Sequence, residues 1–414
     1  MHLVHWLVLL APVSLVLTLA GHAAVFYVLR RRRTAAPTPP ISILKPMKGA
    51  EPGLYENLAS LATQDYPEYE IVAGAAEADD PALAVARRVQ ADFPAARITV
   101  RCGERCLGLN PKVNLLAALA DDARYGCWLI SDSNVRAGPA YLRETAAELA
   151  DPAVGLVTNL PVGAGEGLGA ALEELHLASF VASATSLARA AAGRACVIGK
   201  SMLFRRADFE RLGGFHAVRN VLAEDYVIGR SFELAGFKVA LSPHVVTTRS
   251  DGWTVDRFVN RHLRWAQMRR RVSPAAFVGE LMLNPVLWLA VAVGALGLEL
   301  RFLALAACGV AVKCAADAAV LKRLSGRAPR ASRLLLIPFK DLLVAGIWAV
   351  GLFRRSVNWR GHRLYIGQGS ALTEVNSVHI LDGEVNSVYL PGGEVNGVHR
   401  PDGEVNRVHL REAT

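Results

Sequence analysis

The residues of this chain best suited to chemistry stand between Leu222 and Trp265. The stretch opens with Ala223-Glu224-Asp225-Tyr226 at the head of an amphipathic helix. It closes with Arg261-His262-Leu263-Arg264-Trp265, the last soluble element before strongly apolar sequence. Backbone N–H groups at a helix start favour anions, so a carboxylate there can stay ionised beside a substrate hydroxyl and act as a general base. Asp225 is the candidate. Arg261, Arg264 and Trp265 fall at i, i+3 and i+4 and share one helical face. Two guanidinium groups and an indole together suit a phosphate-bearing leaving group and a flat sugar or lipid surface. Singly, the acids read as well as helix caps and the arginines as interfacial anchors. Their order and separation, with further acidic sites upstream, favour function.

Two such sites precede them. In Asp79-Asp80-Pro81, after the second expected strand, a carboxylate can accept from a uracil N–H or a ribose hydroxyl; an N-cap with proline at the first helical position fits equally well. Ser131-Asp132-Ser133-Asn134, after the fourth strand, resembles the Asp-x-Asp arrangement that offers hard oxygens to a divalent cation on a nucleotide diphosphate. With Asn134 as the second member, Asp132 is the one charged ligand, and an ordinary turn is the alternative.

These positions need a scaffold. Short apolar runs at Ile41 to Leu44, Glu70 to Ala73, Arg97 to Val100, Trp128 to Ile130 and Val154 to Val157 alternate with helical patterns at Leu54 to Thr63, Pro81 to Ala91, Pro111 to Leu119 and Ala140 to Leu149. That rhythm predicts a parallel sheet covered on both faces, with ligands outside the carboxyl ends of its strands. The dinucleotide fingerprint is absent, and Gly163, Gly165, Gly167 and Gly169 read as a flexible loop entering a helix from Leu168 to about Ala190. Gly199-Lys200-Ser201 imitates the end of a P-loop, but its first glycine is one place out, and the flank from Cys196 to Phe204 fits a pocket wall.

With 52% apolar residues, a net charge of +9 and positive mean hydropathy, the 414-residue chain is too apolar for one soluble enzyme and too charged in its middle for a pure transporter. Leu3 to Leu29 carries no Asp, Glu, Lys or Arg and is long enough to span a bilayer, and Arg30 to Arg33 follow it, so the next residues are expected in the cytoplasm. Three further apolar segments lie at about Leu281 to Leu298, Phe302 to Leu321 and Leu334 to Phe353, with Lys313, Asp317, Lys340 and Asp341 inside them. If all three span, Arg354 to Arg363 falls outside, against the positive-inside tendency, so one of them is expected to be re-entrant or interfacial. Basic clusters beside apolar runs indicate lipid headgroups, and nothing supports nucleic acid as a partner. The cysteines have no zinc-type spacing. From Thr373 the chain repeats a ten-residue unit with few apolar residues, read as a weakly structured appendage; His379, His399 and His409 raise the idea of metal binding.

Leu44-Lys45-Pro46 with Lys48-Gly49, Asp79-Asp80-Pro81-Ala82, Leu109-Asn110-Pro111-Lys112-Val113-Asn114, Ser131-Asp132-Ser133, Ala223-Glu224-Asp225-Tyr226 and Arg261-x-x-Arg264-Trp265 together resemble the ceramide glucosyltransferase family. The resemblance runs from Leu3 to Gly367 and includes Trp359-Arg360-Gly361. It implies an α/β GT-A domain, Rossmann-like and nucleotide-sugar-binding, flanked by transmembrane helices. The organisation expected is an anchor at 1–33, a cytosolic catalytic domain at 34–272, a membrane region at 273–367 and a tail at 368–414. The same likeness implies that Asp80 contacts the nucleotide, that Asp132 works at the diphosphate and its divalent cation, Mg2+ or Mn2+, and that Asp225 is the catalytic base. Lys112 is expected near the phosphates, and Arg261, Arg264 and Trp265 along the pyrophosphate and acceptor side. The expected reaction moves a hexose, glucose foremost, from a UDP-sugar to the primary hydroxyl of a membrane lipid such as ceramide, with inversion. The expected location is a membrane such as the bacterial inner membrane, with the catalytic domain on the cytoplasmic side. Hopanoid glycosyltransferases share the layout. A processive polysaccharide synthase is disfavoured by the few spans and by Arg261, where such synthases usually carry Gln, and a non-catalytic scaffold is motivated by Asn134 alone.

Overall fold

The computed structural model describes residues 2–30, 37–193, 196–354, 356–359 and 362–374. Arg31 to Arg33, Arg360-Gly361 and the repeat from residue 375, with His379, His399 and His409, lie outside them.

A long apolar helix α1 (His2–Arg30) leads into β1 (Ile41–Pro46), α2 (Leu54–Ala62), β2 (Tyr69–Ala75), α3 (Pro81–Asp92), β3 (Ile98–Cys102), α4 (Pro111–Asp121) and β4 (Cys127–Ser131). There follow β5 (Val135–Arg136), α5 (Tyr141–Ala146), β6 (Val154–Ala164), α6 (Leu168–His176), a π-helical turn (Leu177–Val181) and α7 (Ala182–Ala192). The domain closes with β7 (Ser201–Arg205), α8 (Arg206–Arg211), α9 (Gly214–Ala217), α10 (Glu224–Leu234), β8 (Lys238–Arg249) and α11 (Val255–Val272).

Eight strands form one sheet in the order β3-β2-β1-β4-β7-β6-β8-β5. Its first half, β3 to β4, is parallel and doubly covered, as the apolar runs predict: every residue of β1 and β4 is buried. The second half departs from that expectation. β7 enters between β4 and β6 and pairs antiparallel with both, so the sheet is mixed. The expected strand at Val154 to Val157 continues to Ala164, and two of the glycines read as a flexible loop are instead points of close packing. A Cβ on Gly163 would stand 2.6 Å from the Glu174 Cα, and one on Gly169 would stand 2.3 Å from the Thr254 carbonyl oxygen. Only glycine lets α6 approach β6 and the entry to α11 so closely.

After α11 come α12 (Pro274–Gly279), α13 (Pro285–Leu296), α14 (Leu300–Ser325), α15 (Ala331–Leu334) and α16 (Leu336–Phe353). By length and composition α1, α14 and the α15–α16 stretch could each cross a membrane. The segment around α13 cannot do so as one straight rod, because it is bent by 71° at a break. The break falls at Asn284-Pro285, where Asn284 caps α13 by accepting from the Leu287 N–H at 3.2 Å and donates to the Asp341 carbonyl at 2.7 Å. The sheet core is continuous with the ends of the apolar helices: Val25, Val28 and Leu29 of α1 and Val320, Leu321 and Leu324 of α14 pack with residues of β1, β4 and α4. Beyond α16, β9 (Ser356–Trp359), β10 (His362–Ile366) and β11 (Leu372–Glu374) form a small antiparallel sheet. Expected to lie in the tail, Ser370 instead accepts the Leu222 N–H on its carbonyl (2.9 Å) and the Ala223 N–H on its hydroxyl (3.0 Å).

Candidate active site

The site lies where the parallel strands end. Past β4, the Asp132 carboxylate is held by two ammonium groups, Lys112 at 2.9 Å on one oxygen and Lys200 at 2.8 Å on the other. Burial opposes its ionisation, but the two lysines outweigh burial and hold the carboxyl well below the usual carboxylate range. Lys112 reaches across to Glu224 at 2.8 Å, and Lys200 also donates to the Asn134 amide oxygen at 2.9 Å. Lys45, fully buried at the end of β1, orients the same turn from beneath, donating to the carbonyls of Asp132 (2.6 Å) and Val135 (3.1 Å). Burial depresses it to about 7; Asp132 counteracts this and Lys200 adds to it.

Local sequence explains how Lys112 arrives there. Asn110 caps α4 by accepting from the Lys112 and Val113 N–H groups (2.9 and 3.1 Å) and donates to the Val221 carbonyl (2.6 Å), which ties the head of α4 to the segment before α10. Asn114 accepts from the Leu107 and Gly108 N–H groups (both 3.1 Å) and fixes the loop ahead of the cap. Both asparagines were motif letters without a role in the sequence. Asn110 joins partners 2 and 3 residues away to one 111 residues away, and Asn114 meets partners 6 and 7 residues away.

Asp225 follows Glu224 in the first turn of α10 and accepts from the Gly199 N–H on one oxygen and the Tyr226 N–H on the other, both at 2.8 Å. Burial and then the Glu224 carboxylate raise its pKa to about 6, against the pull of Lys112 and the two backbone donors. A Cβ on Gly199 would sit 2.6 Å from the Asp225 carboxylate oxygen. Gly199-Lys200, set aside in the sequence as a false P-loop, thus supplies a backbone donor to one acidic residue and an ammonium to the other. Gly199 meets its partner 26 residues away and Lys200 meets Asp132 68 residues away, contacts that spacing within a short motif does not encode.

The α11 face assembles through Glu173. Its carboxylate accepts from His262 Nε2 at 2.6 Å and stands 3.4 Å from Arg261 Nε. Despite burial, Arg261 and then His262 lower Glu173 to about 2. The Arg261 guanidinium lies 4.6 Å from the centre of the Trp265 ring and 5.1 Å from that of Trp253, and its charge reaches Lys200. Arg264, one turn after Arg261 on α11, is half-buried. Asp80 stands apart, after β2 on the same edge of the sheet. It caps α3 by accepting from the Ala82 N–H at 2.8 Å and also accepts from the Gly49 N–H at 3.0 Å, so the cap and a link to the β1 loop are both realised.

The donor set at Asp132 suits a cation. The Lys200 ammonium already bridges one carboxylate oxygen and one amide oxygen, both hard ligands. Among the described residues no group of three or more His, Cys, Asp and Glu converges, so a divalent ion here would draw the rest of its shell from substrate oxygens and water.

The sequence that builds this site matches a described family. Glycosyl transferase family 21 covers residues 6–372. The chain belongs to this family. Ceramide glucosyltransferase 3 of Caenorhabditis elegans is 29% identical to this glycosyltransferase over 244 residues, 58% of the chain and 53% of that protein. Ceramide glucosyltransferase of Komagataella phaffii is 28% identical over 223 residues, 47% and 44% of the two chains. The family 21 chain thus spans about half the length of these curated relatives. A mannosyltransferase from Pyrobaculum calidifontis, solved with GDP-Man and Mn2+, is 18% identical, with a TM-score of 0.50 over 83% of this chain and 99% of that one. The likeness identifies the α/β GT-A fold, here flanked by apolar helices.

Proposed function

We propose that this family 21 glycosyltransferase moves glucose from UDP-glucose to the primary hydroxyl of a ceramide-like membrane lipid by a single inverting displacement. The observation that carries the reading is the Asp225 carboxylate, raised to about 6 beside the Lys112–Glu224 pair, where a general base for work near neutral pH belongs. Asp225 takes the proton of the acceptor hydroxyl. The acceptor oxygen forms a bond to the anomeric carbon as the bond from that carbon to the diphosphate breaks, and the electron pair leaves with UDP. Lys112 and Lys200, with the Arg261, Arg264 and Trp265 face of α11, supply positive charge and a flat surface for the departing diphosphate. Asp80 orients the nucleotide through the loop it ties to Gly49. Asp132 and Asn134 would hold a divalent cation, Mg2+ or Mn2+, and such an ion when bound neutralises diphosphate charge.

The relatives named as ceramide glucosyltransferases support the acceptor and the sugar, and the apolar helices around the site support a lipid in a bilayer. We place residues 34–272 as the catalytic domain on the cytoplasmic side, between an anchor at 1–33 and a membrane region from 273. The test is an assay of membrane fractions with labelled UDP-sugars and several lipids, comparing the wild type with Asp225→Asn. Lipid glycosylation should fall at least a hundredfold at equal protein abundance. Equal activity removes Asp225 from the mechanism.

A further inference from the structure

The helix that carries Asp225 starts without a cap of its own. Its N-cap residue is Ala223, whose side chain has no acceptor to offer, and at 1% exposure the residue is closed to water. The Ala223 N–H must therefore be satisfied from elsewhere in the protein. Its partner stands 147 residues further along the chain, in a strap formed by the turn between β10 and β11. There the Leu372 N–H donates to the Asn220 carbonyl at 2.7 Å, the Leu222 N–H to the Ser370 carbonyl at 2.9 Å, and the Ala223 N–H to the Ser370 hydroxyl at 3.0 Å. Ser370 is fully buried, and it is the one residue other than glycine with a left-handed φ among the described residues. A side chain at such a φ is disfavoured, so this serine is held there by what its hydroxyl and carbonyl bind.

The same segment is held from its other side by the approach to α4. Asn110 donates to the Val221 carbonyl at 2.6 Å, and the Asn220 side chain accepts from the Leu109 N–H at 2.9 Å. Ile366 and Leu372 of the strap share an apolar cluster with Leu222, and Leu109 and Met268 of α11 pack against it. The elements that bear Lys112, Asp225 and the arginine face therefore meet at this joint. One residue beyond Ala223, Glu224 reaches Lys112 at 2.8 Å, and two residues beyond it the Asp225 carboxylate accepts from the Gly199 N–H at 2.8 Å. Without the Ser370 hydroxyl, the Ala223 N–H is left buried and unmatched unless the head of α10 moves. Such a movement carries both acids with it, and a displacement of about 1 Å at a reacting group can lower a rate about a hundredfold.

We propose that Ser370 is a positioning residue for the general base: its hydroxyl, on a strap that follows the last apolar helix, fixes the start of α10 and with it the Asp225 carboxylate. The proposal rests on the reading of Asp225 given above, and the experiment separates the two. The full chain in phosphatidylcholine nanodiscs is compared as wild type, Ser370→Gly, Ser370→Thr and Asp225→Asn. The measurements are kcat with UDP-glucose and ceramide, UDP affinity, the midpoint of thermal unfolding, and amide hydrogen exchange of peptides covering residues 219–226. Glycine adopts the left-handed φ freely but has no hydroxyl, whereas threonine keeps the hydroxyl and is disfavoured at that φ. Catalysis and stability should therefore part. Ser370→Gly should lose kcat at least tenfold and exchange faster at 219–226, with UDP affinity within about threefold of wild type and the midpoint little changed. Ser370→Thr should have a lower midpoint and yet keep kcat within about threefold. A wild-type kcat or unchanged exchange in Ser370→Gly, or a loss of kcat in Ser370→Thr equal to that in Ser370→Gly, overturns the proposal. If Asp225→Asn is inactive in that case, the transfer reading stands without it; full activity in Asp225→Asn removes the base and the proposal together. Faster exchange at 219–226 in Ser370→Gly, with no lipid turned over by the wild type, supports the clamp on α10 and overturns the transfer reading instead.

Discussion

At the scale of single residues, the site is a row of charges whose neighbours set their protonation. Asp225 must be ionised to accept a proton, so with its pKa raised to about 6 the activity should be full above that pH and fall as pH drops through it. The Glu224 carboxylate is the largest contributor after burial, and it raises the value by repulsion. Glu224→Gln should therefore move the acidic limb of the kcat/KM profile to lower pH. A shift upward, or none, would mean that Asp225 is not the group that titrates. Lys112 moderates the interpretation, because the same substitution frees it from one of its two carboxylates and leaves it wholly to Asp132. The expected signature is thus a moved pH limb with a changed UDP-glucose KM.

At the scale of elements, position is set by caps and clamps. The head of α4 carries Lys112 into the site because one side chain, Asn110, satisfies two N–H groups of the first turn and also holds the chain before α10. Asn110→Ala removes three hydrogen bonds, two of them buried, and should cost about 2–3 kcal/mol of stability, seen as a lower midpoint of thermal unfolding in detergent. Loss of nucleotide affinity without such destabilisation would instead make Asn110 a direct contact. Ser370 clamps the other end of the same region from a segment that the sequence assigned to the tail. Its left-handed φ of 63°, rare outside glycine, is the backbone geometry from which its carbonyl and hydroxyl meet consecutive N–H groups.

At the scale of the whole molecule, the catalytic layer and the apolar helices are one packed body. Asp317 of α14 accepts from His22 of α1 at 2.7 Å and from Lys313 at 2.5 Å, while Lys340 reaches Ser179 of the π turn at 2.8 Å. These groups are buried, so removing one partner strands a charge. Asp317→Asn should destabilise the protein by roughly 3–5 kcal/mol, measured as loss of monodisperse protein on heating in detergent. A variant as stable as the wild type would show that the network adds nothing to packing. The bend at Asn284-Pro285 belongs to this scale as well, since the Asn284 side chain binds the Asp341 carbonyl of another apolar helix.

The sequence by itself determined the alternation of strands and helices, the apolar helices, and the candidate acids and arginines. Each of these is encoded locally, in a 3.6- or 2-residue period or in a short motif next to a strand end. It did not determine that the sheet turns antiparallel at β7, that the segment around α13 breaks, or that Lys200, Gly199 and Glu173 complete the site. Strand direction and ion pairing depend on which distant segments meet, and close approach at Gly163 and Gly169 reads in the chain as flexibility. Only the tertiary structure packed His176 against His262 and left three of their ring nitrogens buried without a partner among the described residues, because burial is a property of the folded body that no stretch of sequence carries alone.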